Sequence, residues 1–204
     1  MSLSTGGVLA PQRPNAMPGV RLRRLKNPPP RIEPFNQAPG YHEPAGLWLY
    51  GNVRLLSAPL GCVSLAFGRS EQTASELNAI EAEAEEIALN GKVLVCGIHS
   101  PAHQRAAVVP LRWGAPRIVV LPGGFHHHLG IDLKQELFRT TRLWRYAWDP
   151  YTDLAVSRRA PDKLPTFARH NPSVDRMIAL LADRQWVGLR SPCDSLTAIP
   201  NHSA

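Results

Sequence analysis

At 204 residues and 22.5 kDa, with a formal net charge of +7 and 44% hydrophobic residues, the chain is long enough for one domain with a full core, and wholesale disorder is excluded. Its apolar runs, such as Ile118 to Leu121 or Ala106 to Leu111, fall far short of the ~20 residues that span a bilayer, so no membrane partner is expected. The N-terminal stretch lacks the apolar core of a secretory signal, and three cysteines at positions 62, 96 and 193 give no disulfide framework, which points to a reducing, cytosolic (cytoplasmic) setting.

The charge is concentrated at one end. Arg13, Arg21, Arg23, Arg24, Lys26 and Arg31 stand against no acid in residues 1–32, so +6 of the +7 belongs to that stretch. Nine of the 20 prolines fall between Pro11 and Pro44, including Pro28, Pro29 and Pro30, which removes backbone donors and forbids a regular helix or central strand. Residues 1–43 are therefore expected to be an extended or disordered basic tail, and 44–204 a folded domain. Such a tail either gains counterion-release energy from phosphates or merely solubilises the chain.

From position 46 strands and helices alternate. Leu47 to Tyr50 and Cys62 to Phe67 are short apolar segments bounded by Gly51, Asn52, Gly61 and Gly68, as suits strands between tight turns. Thr73 with Glu76 three residues on forms a capping box; Leu77, Ile80, Ala84 and Ile87 recur at helical spacing until Asn90 and Gly91 supply the stop. Glu81, Glu83, Glu85 and Glu86 read as a solvated outer face and not as catalytic groups. Val93 to Cys96 is a continuous apolar run ending at Gly97, as expected of a strand buried on both faces. Ser100 and Pro101 fit an N-cap followed by the first helical residue, predicting a helix toward Trp113 that bends near Pro110 and closes at Gly114. Arg117 then opens the strand Ile118 to Leu121, and Pro122, Gly123 and Gly124 turn the chain at its carboxyl end.

Short strands joined by helical crossovers specify an α/β fold with a mostly parallel sheet, and ligands of open sheets of this kind gather outside the carboxyl ends of the strands. Three turns fall there: Gly68, Arg69 and Ser70; Gly97 to Ser100; and Pro122 to Phe125. Glycine admits a close backbone approach, a helix N-terminus presents unpaired N–H groups, and arginine supplies a bidentate charge, a combination suited to phosphate. None of the three is a G-x-G-x-x-G or G-x-x-x-x-G-K-[ST] fingerprint, and each taken singly serves equally well as a structural turn.

The order Pro44, Leu47, Gly51 and Asn52, Leu55 and Leu56, Pro59, then Gly68 and Arg69, resembles the start of the Rossmann-like core of the DNA-processing protein A (DprA, or Smf) family. Ala88 to Ala107, with Asn90, Gly91, Val93 to Gly97, Ala102 and His103, is similar to the family's "A-x-x-G-x-x-I-V-S-G-x-A-x-G-I-D-x-x-A-H" segment. Ile118 to Phe125 is similar to "I-A-V-L-G-x-G-L", and Phe167, Arg169, Asn171 and Arg176 to "F-x-x-R-N-R". The resemblance covers roughly residues 44–190. It implies an open, mostly parallel Rossmann-like sheet with helices on both faces. It also implies single-stranded DNA binding without turnover, RecA-type recombinase loading during natural transformation, and a homodimer. The residues implied to meet phosphate are Gly68, Arg69, Ser70, Gly97, Ser100, His103, Gly123, Gly124, Arg169, Asn171 and Arg176, with Arg69 foremost. The chain departs from the pattern at His99, Ser100 and Pro101, where the family's "R-G-I-D" is shortened, and at its end, where a closing strand and helix are expected but not found. The family's preceding helical domain and trailing winged helix are likewise not seen.

Val119 to Gly124 is also similar to the related phosphoribohydrolases, whose motif reads P-G-G-x-G-T-x-x-E, but the match stops at the second glycine and Glu136 is the next acid of the required kind. A nucleotide-binding sensor with the same pocket is a third reading. His126, His127 and His128 are consecutive and cannot readily converge on one ion, and no Cys or Asp stands at zinc-ligand spacing, so neither metal nor cofactor is expected. His103 suits a cap, a packing role or a phosphate. Trp113, Trp144, Trp148 and Trp186 suit a core, while Tyr146 and Trp148 beside Arg142 and Arg145 offer an alternative as base-stacking residues.

Overall fold

Apolar runs too short for helices and too hydrophobic for loops pair into one six-stranded sheet in the computed structural model, which describes residues 38–42, 45–64, 72–165 and 171–183. The strands are β1 (Gly40–His42), β2 (Leu47–Gly51), β3 (Leu60–Gly61), β4 (Val93–Cys96), β5 (Arg117–Leu121) and β6 (Leu154–Ser157), in the spatial order β1-β2-β6-β5-β4-β3. β3, β4, β5 and β6 are mutually parallel, while β2 and β1 extend the sheet antiparallel from β6. Register is set by apolar partners: Val95 stands opposite Ile118, and Val119 opposite Ala155.

Alternation along each strand divides the core in two. Leu94, Cys96, Val119, Leu121 and Ala155 point to one face and pack with Ile80 and Ala84 of helix α1 (Ala74–Leu89), Ala106 and Val109 of α2 (Pro101–Arg112), and Phe125 and Leu129 of α3 (Phe125–Leu129). Val93, Val95, Ile118, Val120, Leu154 and Val156 point to the other, against Val174, Met177, Ile178 and Leu181 of α4 (Pro172–Ala182). This is the α/β, Rossmann-like, mostly parallel sheet with helices on both faces. No helix among the described residues is long and apolar enough to cross a membrane.

The local signals act as their chemistry predicts. The Thr73 hydroxyl accepts from the Glu76 amide at 3.2 Å and the Glu76 carboxylate accepts from the Thr73 amide at 2.7 Å, which closes the capping box that starts α1. Ser100 caps α2 through the His103 amide, and the chain leaves the helix through Gly114 at φ +62°, a conformation glycine adopts freely. Pro110 lies inside α2, which runs on to Arg112. Two boundaries differ from the sequence reading. The strand expected over Cys62 to Phe67 instead pairs earlier, at Leu60 and Gly61, opposite Val93 and Leu94 at the start of β4, and Cys62 to Ser64 are not in a strand; residues 65–67 lie outside the described residues. Residues 40–42, within the expected tail, form an extended edge strand on β2.

Candidate functional site

β5 ends at Leu121, β6 ends at Ser157, and residues just beyond both strands form, with the N-terminal part of α4, an open pocket of about 250 Å³. It is lined by Leu121, Pro122, Arg158, Arg159, Asn171, Ser173, Val174 and Met177. The buried Ser157 hydroxyl donates to the Gly123 carbonyl at 2.8 Å and accepts from the Arg159 amide at 3.0 Å, so the exit from β6 is fixed with two successive arginines directed outward. Arg158 is exposed and makes no ion pair among the described residues, while Arg159 donates to the Leu164 carbonyl at 3.4 Å. On the opposite wall, Asn171 stands at the N-cap of α4, but its side-chain oxygen accepts from the Ser173 hydroxyl at 2.7 Å and not from a helix amide. The pocket therefore meets the positive end of a helix dipole beside a guanidinium, an environment that favours an anion.

The residues singled out in the sequence divide into three groups. Asn171 lines the pocket; Arg176 is exposed on α4 and does not line it. Gly68, Arg69, Ser70 and Arg169 lie outside the described residues. The remaining glycines make room for the protein itself. A methyl at Gly123 would stand 2.7 Å from the Pro165 nitrogen, and one at Gly124 would stand 2.2 Å from the Ala160 carbonyl oxygen. The Gly124 amide donates to the Lys163 carbonyl at 2.7 Å and the His126 amide to that of Pro161 at 2.9 Å. Residues 160–165 thus cover the turn after β5. Gly124→Ala is expected to destabilise the protein by roughly 1–3 kcal/mol, as overpacking does, and to raise proteolytic cleavage within residues 160–165; urea unfolding with limited proteolysis checks both.

At the next turn, a methyl on Gly97 would lie 2.8 Å from His99 Nδ1 and 3.1 Å from Ile178 Cδ1. The Gly97 amide donates to His103 Nδ1 at 3.2 Å, and the Ser100 hydroxyl is engaged as the helix cap. His103 Nε2 and His99 Nε2 both lie 2.9 Å from Asp175 Oδ1. These three buried side chains join the β4–α2 turn to the first turn of α4, next to the pocket. The cluster escaped the sequence reading because Asp175 follows His99 by 76 residues and no local pattern ties them.

The cluster has the residue types of a metal site, but its proton positions do not suit one. With Nδ1 accepting from the Gly97 amide, His103 carries its proton on Nε2, the atom a metal would need free. Burial holds His103 below the ordinary imidazole range, with His99 adding to the effect, against the opposing pull of Asp175. Burial alone would raise the Asp175 carboxyl, yet hydrogen bonds from His103 and His99 outweigh it and hold the group well below the usual carboxylate range. The arrangement is an ionised aspartate accepting from two imidazoles, a clamp between elements.

A second buried network lies at the amino ends of β5 and β6. Arg117, fully buried, donates through Nε to Asp153 at 2.8 Å, through Nη1 to the Ala107 carbonyl at 2.8 Å, and through Nη2 to Glu136 at 3.0 Å. Arg145 completes the square, donating from Nε to Glu136 at 2.8 Å and from Nη2 to Asp153. Burial would raise the Glu136 carboxyl, but the two arginines more than offset it and hold the group lowered. Both Glu136 oxygens are engaged and the residue is 1% exposed, so it cannot replace the carboxylate missing after Gly123 and Gly124.

The same network corrects the base-stacking pair. Trp148 is 3% exposed and packs beside the Arg117 and Arg145 guanidinium groups, with centroid distances of 5.6 and 5.8 Å, so neither Trp148 nor Arg145 is free to receive a base. Trp113 packs against the core as expected, whereas Trp144 is 40% exposed; Trp186 lies outside the described residues. His126 and His127 face outward, and His128, held near a pKa of about 4 by burial and then by His127, meets His127 edge to face at 4.9 Å.

No protein-family model and no curated protein matches the chain. Among solved structures it is similar to DNA processing protein A from Streptococcus pneumoniae, with a TM-score of 0.46 at 23% identity over 66% of this chain and 43% of that one. It is also similar to DNA processing protein A from Helicobacter pylori, a protein with a single-stranded DNA binding mode, with a TM-score of 0.40 at 19% identity over 70% of this chain and 56% of that one. Both belong to the family that residues 44–190 resemble. The chain spans about half the length of these neighbours, 43% and 56%.

Proposed function

We propose that the protein binds single-stranded DNA through phosphate contacts at the carboxyl rim of its sheet, in a DNA-processing role and without turnover. The observation that carries this reading is the rim pocket, which brings Arg158, exposed and without an ion pair among the described residues, together with Arg159 and the N-terminus of α4 in an open cleft. Its volume of about 250 Å³ is below the roughly 300–1,000 Å³ of sites that enclose a small molecule, so it suits one phosphate of a passing strand better than a captured nucleotide, which counts against the sensor. Burial of Glu136 in an ion network counts against the phosphoribohydrolase. Gly68, Arg69, Ser70 and Arg169, with the basic tail, are proposed to extend the phosphate path. RecA-type recombinase loading, natural transformation and a homodimer follow from the family resemblance, a cytosolic location from the cysteine usage, and all belong to the same proposal.

Arg158→Ala should weaken oligo-dT binding whatever the flanking sequence, and should reduce the slope of log affinity against log salt by about 0.7, the contribution of one phosphate contact on a single strand. Fluorescence anisotropy across a salt series measures both quantities. An unaltered slope would remove Arg158 from the interface.

A further inference from the structure

At the end of the sheet opposite the rim pocket, the chain displays apolar and cationic side chains together. Tyr146 is 87% exposed, Leu143 76% and Trp144 40%, at the end of the 3-10 helix Arg139–Leu143 and just after it. Single exposed apolar residues are ordinary, but neighbouring ones rimmed by polar residues mark interaction sites. The segment is held from within: Thr141 is buried and donates to the Phe138 carbonyl, and Arg145 is anchored on Glu136 and Asp153. Arg112, itself paired with Glu81, lies over the Trp144 ring at 5.3 Å from its centroid. The rings are therefore presented on an ordered platform.

The charge around them is one-sided. Residues 137–148 hold three arginines and no acid. Arg145 is neutralised by the buried carboxylates, while Arg139 and Arg142 are exposed and make no ion pair among the described residues. Flat π faces beside uncompensated guanidinium groups match a polyanion with unpaired bases, which offers stacking surfaces and phosphates together. A duplex hides its base faces, and a hydrophobic protein partner would leave the two arginines uncompensated.

We infer that residues 139–146 form a second contact for single-stranded nucleic acid, with bases stacked on Tyr146 and Trp144 and phosphates on Arg139 and Arg142. This rests on the proposed DNA binding at the rim and extends it, because a strand must be long enough to pass from one end of the sheet to the other. The test uses the full chain with two fluorescent probes, oligo-dT of about 6 and of about 20 nucleotides. Tyr146→Ala should weaken the longer probe roughly fivefold to a hundredfold and the shorter one less than about twofold, and Tyr146→Phe, which keeps the ring, should stay within about twofold of the parent on both. Ultraviolet cross-linking of the longer probe should map to the peptide containing Tyr146.

Equal affinity of parent, Tyr146→Ala and Arg142→Ala for the longer probe would overturn the inference. So would a change in sedimentation from dimer to monomer with DNA affinity intact, which would make the patch a contact between copies. Arg158→Ala separates this proposal from the rim: if it changes neither probe while Tyr146 still cross-links, the rim reading fails and this contact stands.

Discussion

Arg117→Met should lower the unfolding free energy by about 3–5 kcal/mol, the cost of leaving a buried ion network with one charge too many. Asp153 and Glu136 are both fully buried, and four of the donors that satisfy them or neighbouring backbone come from the Arg117 guanidinium and amide. Once the guanidinium is gone, Arg145 alone faces two carboxylates, and the Ala107 carbonyl loses its donor. Methionine fills much of the volume, so the loss reports charge and hydrogen bonding more than a cavity. Arg117→Lys keeps the charge but cannot fork between two carboxylates, and should lose less than Arg117→Met. Urea unfolding of the three proteins at neutral pH gives the comparison; a loss under about 1 kcal/mol for Arg117→Met would mean that the network is wetter than its geometry implies.

Asp175→Ala should cost about 3 kcal/mol, since two buried imidazoles lose a charged acceptor at once and hydrogen bonds to charged groups contribute about 1.5–3 kcal/mol each. The same cluster makes stability fall on acidification. A carboxyl lowered in the fold contributes stability that is fully present above its unfolded value near 3.8 and is lost as pH drops toward the folded value. An imidazole lowered by burial, as in His103 and His128, is neutral in the fold while the unfolded chain takes up the proton below about 6.5, so stability declines from that pH downward. All three shifts act in one direction. Denaturation midpoints at pH 7.5, 5.5 and 4 should decrease monotonically, and His103→Gln should flatten the first part of that decline. A midpoint that rises on acidification would contradict the protonation states assigned to the cluster.

The elements readable from sequence were those whose signals are local. Thr73 and Glu76 mark the start of α1, Ser100 and Pro101 that of α2, and the uninterrupted runs of β4 and β5 could only be strands buried on both faces. β6 was not legible, because its four residues, Leu154–Ser157, carry no period of their own; pairing with β2 and β5 makes them a strand. The consequence reaches the site. Strand and helix alternation pointed to the carboxyl rim, but the rim's arginines, Arg158 and Arg159, follow the unrecognised strand and were missed. Gly123 and Gly124 were read as space for a ligand, whereas the chain's own residues 160–165 approach closely there. Arg117 looked like the polar opening of a strand, and only its distant partners Asp153 and Glu136 reveal why a guanidinium can be buried at that position.

Anisotropy titration of the full chain with labelled oligo-dT, duplex of the same length and a 5′-mononucleotide competitor, at two salt concentrations, bears most directly on the proposed function. Tighter retention of the single strand than of the duplex, increasing with oligonucleotide length, decreasing with salt and not displaced by the mononucleotide, is the expected result. Displacement by the mononucleotide, or affinity for the strand that is indifferent to both length and salt, would contradict phosphate binding at the rim.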